Sequence, residues 1–219
     1  MNPLKEYYKK RIKEYEEIYH RSDPIRLKEL DSISESLKKL MKDKTVLEIA
    51  SATGYWTQII SETAFKIIAT DYINEILEFA KLKKYNCGIE FKLENAYDLS
   101  FKNNEFEAGV ANFWFSHISR DRINLFLNEF HRVLKNNAIG FFADNIFNEA
   151  IGGLFIKTNE DLNSYKLRKL KDGSEYKIVK NYYNKEELYE LFSKYDENFS
   201  ESNIYYGKCF WYVYYNLNP

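Results

Sequence analysis

The hydrophobic residues follow a helical period at the start of the chain and then alternate between strand-like and helix-like segments. Apolar positions recur at helical spacing over residues 4–19 and 25–41, and Ser22-Asp23-Pro24 between them supplies an N-cap and a first-turn proline. Further along, short apolar segments typical of buried strands alternate with amphipathic segments typical of helices. This alternation predicts βαβ units and a doubly wound, mostly parallel α/β sheet. We expect strands at 45–50, 65–70, 89–93, 106–113 and 138–143, and helices from residue 55, at 73–84 and at 120–134.

The pattern changes after Asn145. The dipeptide Asp172-Gly173 is a turn signal between two short apolar segments, which predicts a hairpin there. A helix and two closing strands follow, and the strands are close enough in sequence to pair antiparallel through a turn at Gly207. No internal repeat or linker is visible, so we predict a single domain over residues 1–219. The hairpin arms are predicted at 167–170 and 175–179, the helix at 185–195, and the closing strands at 199–205 and 209–217.

Composition narrows the class of partner. The chain has 32 basic and 33 acidic residues, for a net charge of −1, so charge gives no support for a nucleic-acid or membrane-surface partner. Its two cysteines, Cys87 and Cys209, lack metal-ligand spacing, and no apolar run is long enough to span a bilayer. We therefore expect no metal and no membrane span, and a reducing, cytoplasmic setting. A monomer or a homodimer is the expected state.

The turn after the first predicted strand carries the first candidate chemistry. In Glu48-Ile49-Ala50-Ser51-Ala52-Thr53-Gly54, small residues let the backbone approach a ligand, and the N–H groups at the next helix start can hold its anionic part. Asp71 closes the second strand, where a carboxylate can accept both hydroxyls of a ribose. Such sheets bind ligands beyond the carboxyl ends of their strands. The sequence thus predicts a nucleoside-containing cofactor, although spacing alone does not separate a nicotinamide dinucleotide from S-adenosylmethionine.

Several segments together resemble the class I S-adenosylmethionine-dependent methyltransferases, and in particular small stand-alone bacterial enzymes of methyltransferase type 11/12. The turn at 46–57 resembles their motif I, and Ala69-Thr70-Asp71 resembles their second-strand acid. The remaining likeness is carried by Asn95-Ala96-Tyr97, by Asn112-Phe113-Trp114-Phe115-Ser116-His117, and by His131-Arg132-Val133-Leu134-Lys135 with the strand after it.

This resemblance implies a Rossmann-like sheet with strand order 3-2-1-4-5-7-6, a C-terminal antiparallel hairpin, and two N-terminal helices as a lid. The implied segments are a helical lid at 1–42, a cofactor-binding core at 43–145, a substrate-side insertion at 146–183, and a closing helix and hairpin at 184–219. The implied cofactor is S-adenosylmethionine, leaving as S-adenosylhomocysteine. The implied contacts are Ala50, Ala52 and Gly54 on the methionine and ribose, Asp71 on the ribose hydroxyls, Tyr72, Ile73, Asn95, Ala96 and Tyr97 around the adenine, and Asn112 on the methionine amino group through its backbone carbonyl, with Tyr15, Tyr19, Glu48, Ser51, Trp56 and Phe113 completing the set.

Two positions depart from the family pattern. Asn95 replaces the usual aspartate, but its amide oxygen can still accept from the adenine amino group. Ala52 stands where the family usually has glycine, and its methyl group costs about 1–2 kcal/mol if the backbone there is left-handed. That departure supports an alternative, in which the chain binds a nucleoside or a partner but transfers nothing.

Candidate catalytic groups follow the fourth and fifth predicted strands. His117 is our candidate base, because the ordinary pKa of histidine lies near working pH. The sequence supports equally well a structural role for His117, as a surface or capping residue near the start of the next helix. Asp144 can orient an acceptor or cap a turn. The leading hypothesis is methyl transfer to an O or N atom of a small-molecule acceptor, covered by the insertion. A nicotinamide-dependent reductase and methylation of a protein or RNA remain as alternatives.

Overall fold

The computed structural model describes residues 3–149 and 153–218, with side chains from Lys5 onward. Its main sheet has seven strands in the order β3-β2-β1-β4-β5-β10-β9. Strands β1 to β5 pair in parallel, whereas β10 runs antiparallel to both β5 and β9. Counted within this sheet, the order is 3-2-1-4-5-7-6, so the predicted fold class is confirmed. The strands are β1 Thr45–Glu48, β2 Lys66–Asp71, β3 Gly88–Leu93, β4 Phe106–Asn112, β5 Leu134–Asn145, β6 Phe155–Lys157, β7 Ser164–Lys169, β8 Glu175–Val179, β9 Ile204–Tyr206 and β10 Phe210–Asn216.

Six α-helices in the described residues connect and flank these strands. Asp23 caps α2 as predicted, because its side chain accepts from the backbone N–H groups of Ile25 and Arg26. The prediction of one helix over 4–19 is wrong beyond Arg11, where a 3₁₀ helix, Ile12–Ile18, replaces the α-helix. The helices are α1 Pro3–Arg11, α2 Pro24–Leu40, α3 Tyr55–Ser61, α4 Asn74–Ala80, α5 Ile123–Val133 and α6 Lys185–Phe192.

Tertiary contacts explain the change of helix type. The Glu16 carboxylate accepts a 2.5 Å hydrogen bond from the Thr53 hydroxyl, and the Tyr19 ring stacks on Tyr55 at 4.0 Å between centroids. These contacts fix the segment against the core, and such packing overrides the local preference for an α-helix. The predicted strand at 199–205 is shorter for a local reason: Ser200 caps a 3₁₀ helix, Glu201–Asn203, so β9 begins only at Ile204.

Both faces of the main sheet are covered by helices, which gives two hydrophobic cores. Phe142 packs with Phe126 and Phe130 of α5, whereas its neighbour Phe141 belongs to the opposite core with Ile33 of α2. Adjacent residues on a strand point to opposite faces, so one apolar run in β5 supplies both cores. Each fully buried ring contributes about 1.5–3 kcal/mol through removal from water.

The N-terminal region and the insertion meet over the carboxyl edge of the sheet. The insertion forms a separate three-stranded antiparallel sheet, β6-β7-β8, and β6 had no predicted counterpart. Tyr7 of α1 packs on its residues Leu170 and Ile178. Helix α2 instead packs against α3 and the main sheet, so the covering part of the predicted lid is α1 with the 3₁₀ helix. Within residues 3–149 and 153–218, no helix is long and apolar enough to cross a bilayer.

Candidate active site

A cavity of about 400 Å³ lies at the carboxyl ends of β1, β2 and β4. Volumes of this size are typical of small-molecule and cofactor sites. Twelve of the residues predicted from the sequence line it: Tyr15, Ala50, Ala52, Asp71, Tyr72, Ile73, Asn95, Ala96, Tyr97, Asn112, Phe113 and His117. The topology therefore brings together most of the predicted site.

The turn after β1 is built from left-handed backbone. Ala50, Ala52 and Gly54 have φ values of 53°, 49° and 79°. Between them, Ser51 donates its backbone N–H to Thr70 and accepts from Gly54, which holds the turn against β2. Ala52 therefore has the backbone that favours glycine, and its methyl group carries a strain of about 1–2 kcal/mol.

Asp71 is oriented by this turn and by the residues that follow β2. Its Oδ2 accepts from Ala52 N at 3.1 Å, and its Oδ1 accepts from Ile73 N at 3.0 Å. Each oxygen keeps a further lone pair for a ligand hydroxyl. Burial raises the pKa of Asp71 to about 6, so the carboxylate is ionised at neutral pH but titrates in mild acid.

Five of the predicted cofactor residues do not line the cavity: Tyr19, Glu48, Ser51, Gly54 and Trp56. The buried Glu48 accepts from the Thr57 hydroxyl at 2.6 Å, and burial raises the pKa of Glu48 to about 8. Trp56 Nε1 donates to the Tyr19 hydroxyl at 3.1 Å beneath the lid. These side chains support the turn and the floor of the cavity.

Gly54 has a packing role. Its left-handed backbone begins α3, and a Cβ there would collide with the Tyr85 hydroxyl. That hydroxyl in turn donates to the Ala80 carbonyl at 2.7 Å. Glycine at position 54 therefore fits the close packing of α3 and α4.

Asn112 ends β4 with an amide that has no partner. The residue is only 6% exposed and lines the cavity, yet neither its Oδ1 nor its Nδ2 has a hydrogen-bond partner in the described structure. A buried polar group left unpaired costs about 1–3 kcal/mol. A ligand that hydrogen-bonds to this amide would recover that energy.

His117 is held in one tautomer at the same cavity. Its Nδ1 lies 2.7 Å from the Val179 carbonyl oxygen, and a carbonyl can only accept, so Nδ1 carries the proton. The other ring nitrogen, Nε2, is then an acceptor in the neutral ring. Burial, followed by the nearby Lys180 ammonium, lowers the pKa of His117 far below its ordinary value. The imidazole is thus neutral at physiological pH.

Asp144 lies behind His117 and does not line the cavity. It is fully buried, accepts from Ser116 N at 2.8 Å, and pairs with Lys180 Nζ at 2.9 Å. Lys180 Nζ also donates to the Ser116 hydroxyl at 2.5 Å. Asp144, predicted as a catalytic residue, is therefore placed to position the turn that carries His117, one layer away from a ligand in the cavity.

The cavity also contains residues that had no place in the predicted site. Tyr8 was expected in the lid, and its ring meets His117 edge-on at 5.8 Å between centroids. The Arg122 guanidinium lies over the Tyr97 ring at 3.8 Å. Tyr8 and Arg122 have no local sequence signal, because they reach the cavity from the lid and from the start of α5. The others are Lys5, Ile49, Thr70, Ile76, Glu94, Trp114, Ser119 and Val179. In the part of the chain that the structure describes, no group of His, Cys, Asp or Glu side chains is arranged to hold a metal.

Comparisons with known proteins agree with this architecture. Residues 46–137 match the family model of a methyltransferase domain. No curated protein matches the chain. Three similar solved structures are DhpI in complex with SAH (21% identity, 99% of this chain and 96% of that chain, TM-score 0.74), the PH0226 protein from Pyrococcus horikoshii OT3 (18%, 97% and 99%, TM-score 0.75), and a SAM-dependent methyltransferase from Aquifex aeolicus (18%, 95% and 98%, TM-score 0.61).

The structural likeness extends over nearly the whole chain, so the lid and the insertion belong to a shared fold. The family match covers the turn after β1, Asp71, Asn112 and His117. The strand order and the cavity at the sheet edge agree with this match to a methyltransferase domain. The chain contains a class I S-adenosylmethionine-dependent methyltransferase domain.

Proposed function

We propose that the protein transfers a methyl group from S-adenosylmethionine to an O or N atom of a small-molecule acceptor. The observation that carries this proposal is the shared cavity, in which the Asp71 carboxylate and the unpaired Asn112 amide line one part and a neutral His117 lines another. The Asp71 carboxylate and the Asn112 amide suit the nucleoside and the amino-acid group of the cofactor. Neutral His117 can accept a proton from an incoming hydroxyl or amine.

The cofactor would lie across the ends of β1, β2 and β4. Asp71 would accept from the ribose hydroxyls, and Ile73 with the Asn95-Ala96-Tyr97 segment would surround the adenine. Ala50 and Asn112 would face the methionine part. The backbone N–H of Ala52 already donates to Asp71, so a ligand at this part of the turn would compete with that hydrogen bond.

When bound, the cofactor supplies a methyl group on a sulfonium, which is transferred in line to the acceptor atom while the sulfur keeps the bonding electron pair. His117 would accept the acceptor's proton at Nε2, since Nδ1–H is held by Val179. Its lowered pKa means that the proton then passes on to water. Alignment in a closed site supplies much of the rate of such a displacement. A base with its pKa near the working pH adds about 10²–10⁴-fold, so His117, whose pKa is lowered, would add no more than the lower end of that range.

The roof of the cavity favours a small acceptor. Tyr8 and Tyr15 of the lid close one side, and Val179 of the insertion closes another. This roof limits the acceptor to what fits beside the cofactor. A protein or RNA substrate would have to present a single extruded group, and the balanced charge of the chain offers little attraction for RNA.

The test combines binding and turnover. Calorimetry should show S-adenosylmethionine binding by the native protein, and a panel of hydroxyl- and amine-bearing small molecules should release S-adenosylhomocysteine with at least one member. His117→Ala should lower kcat by about 10- to 100-fold, because a base with a lowered pKa contributes less than one tuned to the working pH, while leaving cofactor affinity unchanged. His20→Ala is the matched control, because His20 is exposed and does not line the cavity.

Two results would contradict the proposal. A native protein that does not bind the cofactor, with binding restored by Ala52→Gly, would support the degenerate alternative. Turnover of a protein or RNA with no turnover of any small molecule would leave the methyltransferase chemistry standing and replace the acceptor class.

A further inference from the structure

A second, smaller cavity lies on the far side of the Asp144–Lys180 pair. It measures about 40 Å³, which is room for roughly three water molecules or one small ion. The two cavities touch consecutive residues of the insertion, since Val179 lines the first and Lys180 lines the second. The polar and charged residues that line the second cavity include Arg26, Asn145, Asn148, Arg168, Lys180 and Tyr182.

The lining is cationic. Three of its residues, Arg26, Arg168 and Lys180, are basic, and none of the described lining residues is acidic. Asp144 lies adjacent but is already paired with Lys180 at 2.9 Å.

Arg26 supplies this cavity with a largely buried guanidinium whose terminal nitrogens have no partner in the described residues. The residue is 6% exposed, its Nε donates to the Ile18 carbonyl at 3.2 Å, and its guanidinium lies 4.5 Å from the Phe210 ring centroid. Neither terminal nitrogen donates to any described residue, although a guanidinium has four N–H groups there. Glu29, one turn further along α2, uses its carboxylate on the backbone N–H groups of residues 208–210 and forms no ion pair with Arg26.

Burial and nearby cations act against the charges of Arg26 and Lys180. Burial lowers the pKa of Arg26 and the neighbouring Arg21 lowers it further, whereas Asp23 acts in the opposite direction. Burial likewise lowers the pKa of Lys180, with Arg168 and Arg11 acting in the same direction against Asp144. Asp23 acts on Arg26 from a distance and forms no ion pair with its guanidinium, so an anion in this cavity would give that guanidinium a hydrogen-bonded counter-charge.

We propose that this second cavity is a binding site for a small oxyanion, a phosphate or carboxylate group, anchored by the Arg26 guanidinium with Lys180 and Arg168 beside it. A planar guanidinium binds the paired oxygens of such groups through two parallel hydrogen bonds. The amides of Asn145 and Asn148 and the Tyr182 hydroxyl are further polar groups at the lining. The anion can be free, or it can be the charged end of a larger molecule such as the methyl acceptor.

The experiment is calorimetry of the full chain with inorganic phosphate and acetate, at an ionic strength held constant with sodium chloride. We expect saturable binding, and an affinity reduced at least about tenfold in Arg26→Gln, the loss expected for one charge-assisted hydrogen bond. Lys28→Gln removes the same charge from the exposed face of the same helix and should leave the affinity unchanged. Arg168→Gln is the second variant, because it probes the cavity from β7 if Arg26→Gln does not fold.

The two sources of the anion are separated by phenyl phosphate. Binding of inorganic phosphate with rejection of the ester indicates a closed site for a free anion, whereas equal binding of both indicates a site open to an anionic group of a larger ligand. Absence of saturable binding of every anion, or binding that Arg26→Gln and Arg168→Gln leave intact, would overturn the proposal. This site does not depend on the methyl-transfer proposal, since its test measures no turnover.

Discussion

The two halves of the large cavity are built by different means. The cofactor half, consisting of the turn Ala50–Gly54 with Asp71, is shaped by backbone: three left-handed residues and two N–H groups that orient one carboxylate. The acceptor half, which we define as His117 at the cavity wall with Ser116, Asp144 and Lys180 buried behind it, is shaped by side chains. Its contacts join residues 28 to 64 positions apart, such as Ser116 with Lys180.

The two halves also differ in how a buried carboxylate is stabilised. Asp71 forms no ion pair in the described structure and is stabilised by backbone N–H groups beside an open cavity. Asp144 is fully buried and depends on the Lys180 ammonium. We therefore expect a charge change in the cofactor half to affect binding, and a charge change in the acceptor half to affect the stability of the fold.

The largest expected effect is that of Lys180→Met on stability. The substitution leaves Asp144 buried and unpaired, and breaking a buried ion pair in this way costs about 3–5 kcal/mol. Urea unfolding measures the loss. Lys185→Met, which removes an exposed pair with Glu201, is the matched control and should cost less than about 1 kcal/mol.

The double variant Asp144→Asn with Lys180→Met sharpens this result. Because it removes both charges, it should be more stable than Lys180→Met alone. A Lys180→Met protein as stable as the Lys185→Met control would mean that the acceptor half does not rely on the buried pair.

The next effect is that of Asp71→Asn on cofactor binding. An amide keeps the shape but accepts more weakly, and hydrogen bonds to a charged group contribute about 1.5–3 kcal/mol, so the Kd for S-adenosylmethionine should rise roughly 10- to 150-fold. Urea unfolding should show a loss of stability smaller than the roughly 3–5 kcal/mol of Lys180→Met, because the amide NH2 cannot accept from one of the two backbone N–H groups but a neutral amide is easier to bury than a carboxylate. A stability loss like that of Lys180→Met would remove the distinction between the two halves.

The pH dependence of binding is a smaller effect on the same carboxylate. Burial raises the pKa of Asp71 to about 6, and the ribose hydroxyls donate to its ionised form. Affinity should therefore be full above pH 7 and fall as the pH drops through 6, by about tenfold between pH 7 and pH 5. Calorimetry across this range measures it, with Asp71→Asn as the control that should lack this part of the pH dependence.

The same contrast explains what the sequence could predict. The cofactor half follows from local order, because a strand, a small-residue turn and an acid at the end of the next strand are neighbours in sequence as well as in space. Ala50, Asp71 and Asn112 were accordingly predicted and lie together. Glu48 and Trp56 were predicted as cofactor residues but lie outside the cavity. A sequence motif gives the position of a residue along the chain and not the direction of its side chain.

The acceptor half resists prediction because its partners are distant in sequence. Nothing near Lys180 indicates a buried lysine, and only the folded chain brings it to Asp144, 36 residues away. Tyr8 and Arg122 likewise enter the cavity from the lid and from the start of α5. The 3₁₀ helix at Ile12–Ile18 has the same cause, since packing of Tyr19 and Glu16 decides its conformation.

The smallest expected effect tests the strain in the cofactor half. Ala52→Gly relieves about 1–2 kcal/mol at a φ of 49°, but glycine loses about 0.5–1 kcal/mol more backbone entropy on folding, so a net gain of up to about 1 kcal/mol is expected. For a chain of this size that gain raises Tm by about 2–4 °C. Ala64→Gly, at a buried position without positive φ, should lower Tm instead. If both variants lower Tm equally, the turn stores no strain, and the alanine at position 52 gives no reason to expect weak cofactor binding.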